Sequence, residues 1–281
     1  ADTASGGTNP VVFQDTTTVN TSEILASALA TQLGANNVTI KTSNASGNGP
    51  LGGTVTFNAS VTKPGSGGTT TLRVEAENNI VVAGGVSITA TDTSNKLNVE
   101  FVANSDAAGT GAIKIGDGVT LSSIDTKGGD ITLGGSGSNP ALGNATYTAG
   151  VMLDKASLIA GAGSVTIRGT GKATSTNAYG VQLAGGSAVS STSGAISVSG
   201  TGGTGDGSGT ESNFGVYLTD SGTSVSSASG PITISGTGGT GTGADNHGVV
   251  IRDGASVVST GAATISVTGS GSSSTSNGIL V

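Results

Sequence analysis

A chain of 281 residues with 34% hydrophobic content can bury a core, yet 51 glycines and 2% aromatic residues exclude the make-up of an average globular enzyme. A net charge of −7 with ten scattered Lys and Arg argues against nucleic acid and anionic membrane surfaces as partners. The absence of cysteine excludes disulfides, thiol catalysis and cysteine-type zinc sites, and no run of 18 apolar residues is present to span a bilayer.

In chain order, Asn20-Thr-Ser-Glu23 has the spacing of a capping box. Ile24, Leu25, Ala28, Leu29 and Leu33 then share one face of a short helix that stops near Gly34. Residues 1–37 are therefore expected to form a lead-in that covers the open end of whatever follows.

From residue 38 to 281 the pattern is β throughout. Val38-Ile40, Val55-Phe57 and Leu72-Val74 predict a first turn of a coil, and Ile80-Val82, Val86-Ile88 and Leu97-Val102 a second. Ala112-Ile115, Val119-Leu121 and Asp130-Leu133 predict a third, with Asp117-Gly118 at a corner.

Between residues 150 and 281 the pattern becomes a true repeat. Its anchors are Gly150-Val151, Gly180-Val181, Gly215-Val216, Gly248-Val249 and Gly278-Ile279, separated by 30, 35, 33 and 30 residues. Periods of this size mean units that bury their apolar face only against a neighbour. Each unit carries three short strands. The first is Val151-Leu153 and its equivalents, the second centres on Leu158, Val189, Val225 and Val257, and the third reads Val165-Thr-Ile167, Ile196-Ser-Val198, Ile232-Thr-Ile234 and Ile265-Ser-Val267. Strands this short, joined by Gly and Asp corners, cannot make a sandwich. Wound one coil per repeat, they stack like on like.

The expectation is an all-β chain, a right-handed parallel β-helix (a three-sided β-solenoid) of roughly eight coils over residues 38–281, rising about 4.8 Å per coil. The third corner, Gly169 to Tyr179 and its equivalents, absorbs the differences in repeat length. Insertions in repeat proteins collect on one face, often the binding face.

Several residues look chemical. His247, the single histidine, follows Asp245, but it aligns with Tyr179 and Phe214, so a stacked-ring ladder is expected in place of a general base. Asn177, Asn213, Asn246 and Asn277 precede the anchor glycines and are expected to form an amide ladder along the axis. Gly200–Gly205 and Gly236–Gly241 match G-x-G-x-x-G but lack the following helix that a dinucleotide needs. Asp117, Asp220 and Asp253 read as solvated turns and not as a calcium stripe. No catalytic, cofactor or metal residue is assigned.

Asn9-Pro-Val-Val-Phe13, Thr17-Thr-Val-Asn-Thr21, Asn37-Val-Thr-Ile-Lys-Thr42, Leu72-Arg-Val-Glu-Ala-Glu-Asn-Asn-Ile80 and Gly128-Gly-Asp-Ile-Thr-Leu-Gly-Gly135 carry a resemblance. Together they resemble the repeat regions of filamentous-haemagglutinin-type exoproteins of two-partner secretion. The resemblance implies export through an outer-membrane barrel and service as an adhesin, surface fibre or toxin carrier. The family's Asn-Pro-Asn-type secretion signature is absent, since Ala141 follows Asn139-Pro140, which places the chain downstream of an export domain.

The reading that follows is a non-catalytic, secreted or surface-displayed bacterial shaft. Its expected partner is a glycan or protein receptor on a host or neighbouring cell, with head-to-tail self-association as a further expectation. The alternatives are a β-helical carbohydrate-active enzyme, which needs clustered carboxylates, and an ice-binding solenoid, suggested by Thr16-Thr18, Thr69-Thr71 and Thr89-Thr91.

Overall fold

The computed structural model describes residues 9–14, 22–42, 53–107, 109–209, 212–243, 245–272 and 275–281. Asn20 of the capping box, Thr16–Thr18 and Thr17–Thr21 lie outside these residues.

The chain winds as a parallel β-solenoid of three sheets. In each coil it passes through a first, a second and a third sheet in turn. The first sheet has eight strands, running from Val55–Phe57 to Ile279–Leu280. The second has seven, from Val61–Lys63 to Ser256–Ser259, and so sets the number of complete coils. The third has ten, from Val11–Gln14 to Ile265–Ser270, with the short strand Ala141–Leu142 standing off its main path beside Val165–Thr170.

Every strand pairs in parallel with its equivalent one coil away. Val151, Val181, Val216, Val249 and Ile279 lie in one line, as do Val165, Ile196, Ile232 and Ile265. Alternation in each strand sends Val, Ile and Leu inward, and these residues form one continuous core from Val11 to Ile251. Each such side chain contributes about 1.5–3 kcal/mol by leaving water.

The coil count and register differ from the sequence reading in the N-terminal third. Val38 and Leu72 are direct neighbours in the third sheet, so they belong to successive coils and not to one turn. The first full coil is Val55–Phe57, Val61–Lys63 and Thr70–Ala76. Its second strand escapes a hydrophobic pattern because Lys63 fills an inward slot, fully buried beside Ala90 of the next coil. The Lys63 ammonium donates to the carbonyls of Pro64 (3.3 Å) and Ser66 (2.7 Å). Burial lowers its pKa, against the pull of Asp92.

A second difference concerns Val119-Thr-Leu121. Asp117 accepts the backbone N–H groups of Val119 and Thr120, both at 2.8 Å, and this turn holds the stretch at a corner. Val119 and Leu121 are 74% and 54% exposed. The strand is Ser122–Asp125, which puts Ile124 in the core beside Ile88 and Leu158.

The helix is Ala26–Leu33, entered through Leu25 with no side-chain cap. Its buried face is Leu29 and Leu33, flanked by Ala26 and Ala30, while Leu25 and Ala28 are exposed. Packed mainly on Val61–Lys63, it occupies the place a second-sheet strand would hold in the turn ending at Val38–Lys41. The hydroxyls of Ser66 and Thr70 donate to the Gly34 and Leu33 carbonyls, both at 2.9 Å, which satisfies the helix C-terminus. At the other end Ile265 and Ile279 are 43% and 42% exposed.

Candidate functional site: rings outside the coil

The longest departures from a minimal coil are the third corners, and the candidate site is built around them. In each repeat a glycine near the end of the third-sheet strand meets the anchor glycine of the following first-sheet strand. The pairs are Gly169 with Gly180, Gly200 with Gly215, Gly236 with Gly248, and Gly269 with Gly278. At each, an added Cβ would overlap the partner's carbonyl oxygen. Backbone lies on backbone, so the corner residues between them are extruded to the outside.

What they cover is the outer face of the first sheet. Tyr217 and Val250 occupy middle positions of Val216–Leu218 and Val249–Ile251, where alternation points a side chain away from the core. Both are nevertheless buried, at 5% and 0% exposure. With Phe214 they form a second, separate apolar cluster, completed by half-buried Tyr179 and Leu280. Sequence reading placed the ring ladder but missed this floor. The signal was available as large residues at outward positions of two adjacent first-sheet strands.

The ladder stacks Tyr179 on Phe214 (centroids 5.3 Å, 20° between planes) and Phe214 on His247 (5.5 Å, 15°). Tyr217 meets Tyr179 at 4.8 Å and Phe214 edge-on at 5.2 Å. Burial, then the neighbouring Tyr217, pushes the Tyr179 hydroxyl up to about 12, with Arg252 opposing. Arg252 donates through Nε to Tyr217 Oη at 2.9 Å, stands 5.0 Å over the Tyr217 ring, and pairs with Asp253 at 3.2 Å. At His247, Nδ1 accepts the backbone N–H of Asn277 (2.8 Å), so the ring proton resides on Nε2. That nitrogen is 3.8 Å from Asp245 Oδ1. An open cleft of about 180 Å³ is lined by Tyr179, Phe214, Asp245, His247, Arg252 and Leu280, together with Asn177 and Ser212.

The four asparagines do not form one column. Asn213 and Asn246 are fully buried and each side-chain oxygen accepts a backbone N–H from the preceding coil: Ala178 to Asn213 at 2.8 Å and Asn213 to Asn246 at 3.1 Å. Ser276 takes the next step, accepting the Asn246 N–H at 3.0 Å. Asn177 is exposed with φ of 53°, and Asn277 stands one place along, in line with the rings. The relay is therefore side chain to backbone, one residue before the rings, and not amide on amide. A second relay, absent from the sequence reading, crosses the entry to the third sheet. There Asn98 accepts the Asp130 N–H (2.9 Å) and Asp130 accepts that of Ser164 (2.8 Å).

The corner acids bond protein groups. Asp220 accepts the Gly185 N–H at 2.8 Å, and Asp253 accepts the Thr219 hydroxyl at 3.0 Å. The two backbone bonds from Thr120 and Val119 hold the Asp117 carboxyl below its usual range. Among the described residues no group of three or more His, Cys, Asp or Glu is close enough to hold a metal ion. The Gly200–Gly205 and Gly236–Gly241 corners run on from third-sheet strands, and no helix follows either among the described residues.

Fold and site together define a three-sided parallel β-solenoid carrying an aromatic cleft on the outside of one sheet. Comparison with protein-family models, curated proteins and solved structures gives no match.

Proposed function

We propose that this chain is a non-catalytic structural and adhesive shaft of a secreted or surface-displayed bacterial exoprotein, of the filamentous-haemagglutinin type that its sequence resembles. The observation that carries the reading is the in-register stack whose length variation is largest at one corner. Such a body is rigid along its axis and varied along one edge, which suits presentation of a binding surface at a distance. The dispersal of the carboxylates favours a shaft over a glycan-cleaving enzyme.

Three measurements test it. Purified protein should bind intact host or bacterial cells saturably, and should release no reducing sugar from a polysaccharide panel. Deleting residues 181–215 removes one coil and brings Val216 to the place of Val181, its register partner. The product should stay folded and shorten by about 4.8 Å. Absence of any cell binding, or sugar release, would overturn the role.

A second reading is favoured by one observation. On the outer face of the third sheet, Thr166, Ser197, Thr233 and Ser266 align, as do Thr170, Thr201, Thr237 and Ser270. Between them run Ser199, Ser235 and Thr268, with Arg168 at the start of that column. This ordered hydroxyl lattice is the kind of surface an ice-binding solenoid needs. The Thr69-Thr71 and Thr89-Thr91 pairs do not extend it: Thr71 heads the column of Asn98, Asp130 and Ser164 at the entry to the third sheet, and Thr89-Thr91 lies at the second sheet. Thermal hysteresis in a freezing-point measurement would favour ice binding over the shaft.

A further inference from the structure

We propose that the cleft beside the ring ladder binds one neutral pyranose unit of a larger glycan. The inference rests on the adhesive reading and names the chemistry of its receptor.

Size comes first. At about 180 Å³ the cleft is smaller than the roughly 300–1,000 Å³ that hold drug-sized ligands. It admits a single ring, and its open mouth leaves the rest of a chain in water. A peptide strand has no purchase here, since the strands of the first sheet that floor the cleft, Val216–Leu218 and Val249–Ile251, are hydrogen-bonded on both sides.

Charge decides the ligand class. Arg252 and Asp245 both line the cleft. A phosphate or dicarboxylate would meet the Asp245 carboxylate, and an ammonium would meet the Arg252 guanidinium. A neutral polyol suits both, because each hydroxyl donates and accepts. The guanidinium is already oriented by Tyr217 Oη, the Tyr217 ring face and Asp253, so little freedom remains to be lost on binding.

The built polar element is His247. Its side chain is only 7% exposed, and the Asn277 N–H on Nδ1 leaves the proton on Nε2, at the Asp245 side. The 3.8 Å between Nε2 and Asp245 Oδ1 is too long for a hydrogen bond. One sugar hydroxyl closes that gap, accepting from Nε2 and donating to Oδ1. Half-buried Tyr179 and Leu280 supply apolar wall for the C–H face of the ring.

The test uses the full chain and methyl glycosides of glucose, galactose, mannose, glucuronic acid and sialic acid, titrated by NMR chemical-shift perturbation. Two variants accompany it. Asp245→Ala alters a side chain that is 64% exposed, so its fold should be undisturbed. His247→Phe keeps a planar ring where Phe214 stands one coil earlier. We expect at least one neutral hexoside to bind, and each variant to weaken it about tenfold or more, the size of a lost charge-assisted or buried hydrogen bond. Thermal melting of Asp245→Ala should match the parent.

Binding of acidic glycosides alone, binding indifferent to both variants, or binding of none would each overturn the proposal. The same three proteins are applied to cells. If the parent and both variants adhere equally while no glycoside binds, the receptor site lies elsewhere and the adhesive role survives. If the parent does not adhere, both readings fall.

Discussion

A Cβ on Gly236 would overlap the carbonyl oxygen of Gly248, twelve residues further along the chain. The coil closes there backbone on backbone, which explains the glycine at both positions in the four pairs from Gly169 with Gly180 to Gly269 with Gly278 and why the intervening corner is driven outside. Gly236→Ala should therefore cost about 1–3 kcal/mol, the range for forcing extra volume into a packed site. Gly109→Ala, where nothing lies within 4 Å of the added atom, should be near neutral. Urea unfolding midpoints of the two variants check the contrast.

Asn213 and Asn246 each hold a backbone N–H of the coil before. Replacing either by Ala strands a buried donor and should cost about 1–3 kcal/mol. Because the Asn213 group that donates to Asn246 is a backbone N–H that Asn213→Ala retains, the two substitutions remove separate bonds and the double substitution should cost close to the sum. A double-mutant cycle checks this; a clear departure from additivity would mean that the two bonds are not independent.

Tyr179 gives an alkaline signature. Its folded pKa, about 12, lies above the unfolded value near 10. Between those limits the unfolded chain has released its proton and the native chain has not, so stability falls as pH rises. The contribution is intact below pH 10 and lost through pH 12. Tyr179→Phe should flatten the fall in melting temperature over that window, and ultraviolet titration of the phenols should lose its latest-ionising component.

The lid predicts an oligomeric phenotype. Leu33 is fully buried where the helix meets the first coil. Leu33→Asp buries an unpaired charge and should undock the helix, at a cost of several kcal/mol. The core residues it covers, Val61 and Val38 among them, would then meet solvent. Light scattering after size exclusion should show the variant associating at concentrations where the parent does not.

Alternation of Val, Ile and Leu, punctuated by glycine pairs, was enough to read the solenoid from Val151 to Ile279. The reason is physical: each coil's neighbour is a near copy of itself, so the pattern that forms one strand also specifies its partner. The N-terminal coils were harder because single residues outweighed the pattern. Asp117 captured two backbone N–H groups and turned Val119 and Leu121 out to water, and Lys63 took a core position that a hydrophobic scan assigns to valine.

What the amino-acid order determined unaided was the coil, its corners and the alignment of Tyr179, Phe214 and His247, since all three follow from spacing alone. Only the tertiary structure decided that Tyr217 and Val250 form a floor beneath those rings, that Asn213 and Asn246 bond backbone and not one another, and that Asp245 and Arg252 face one cleft. Those relations join residues on different coils or different sides of a corner. They arise because the closing glycine pairs leave no interior room, and the extruded chain must bury its rings against the outside of its own sheet.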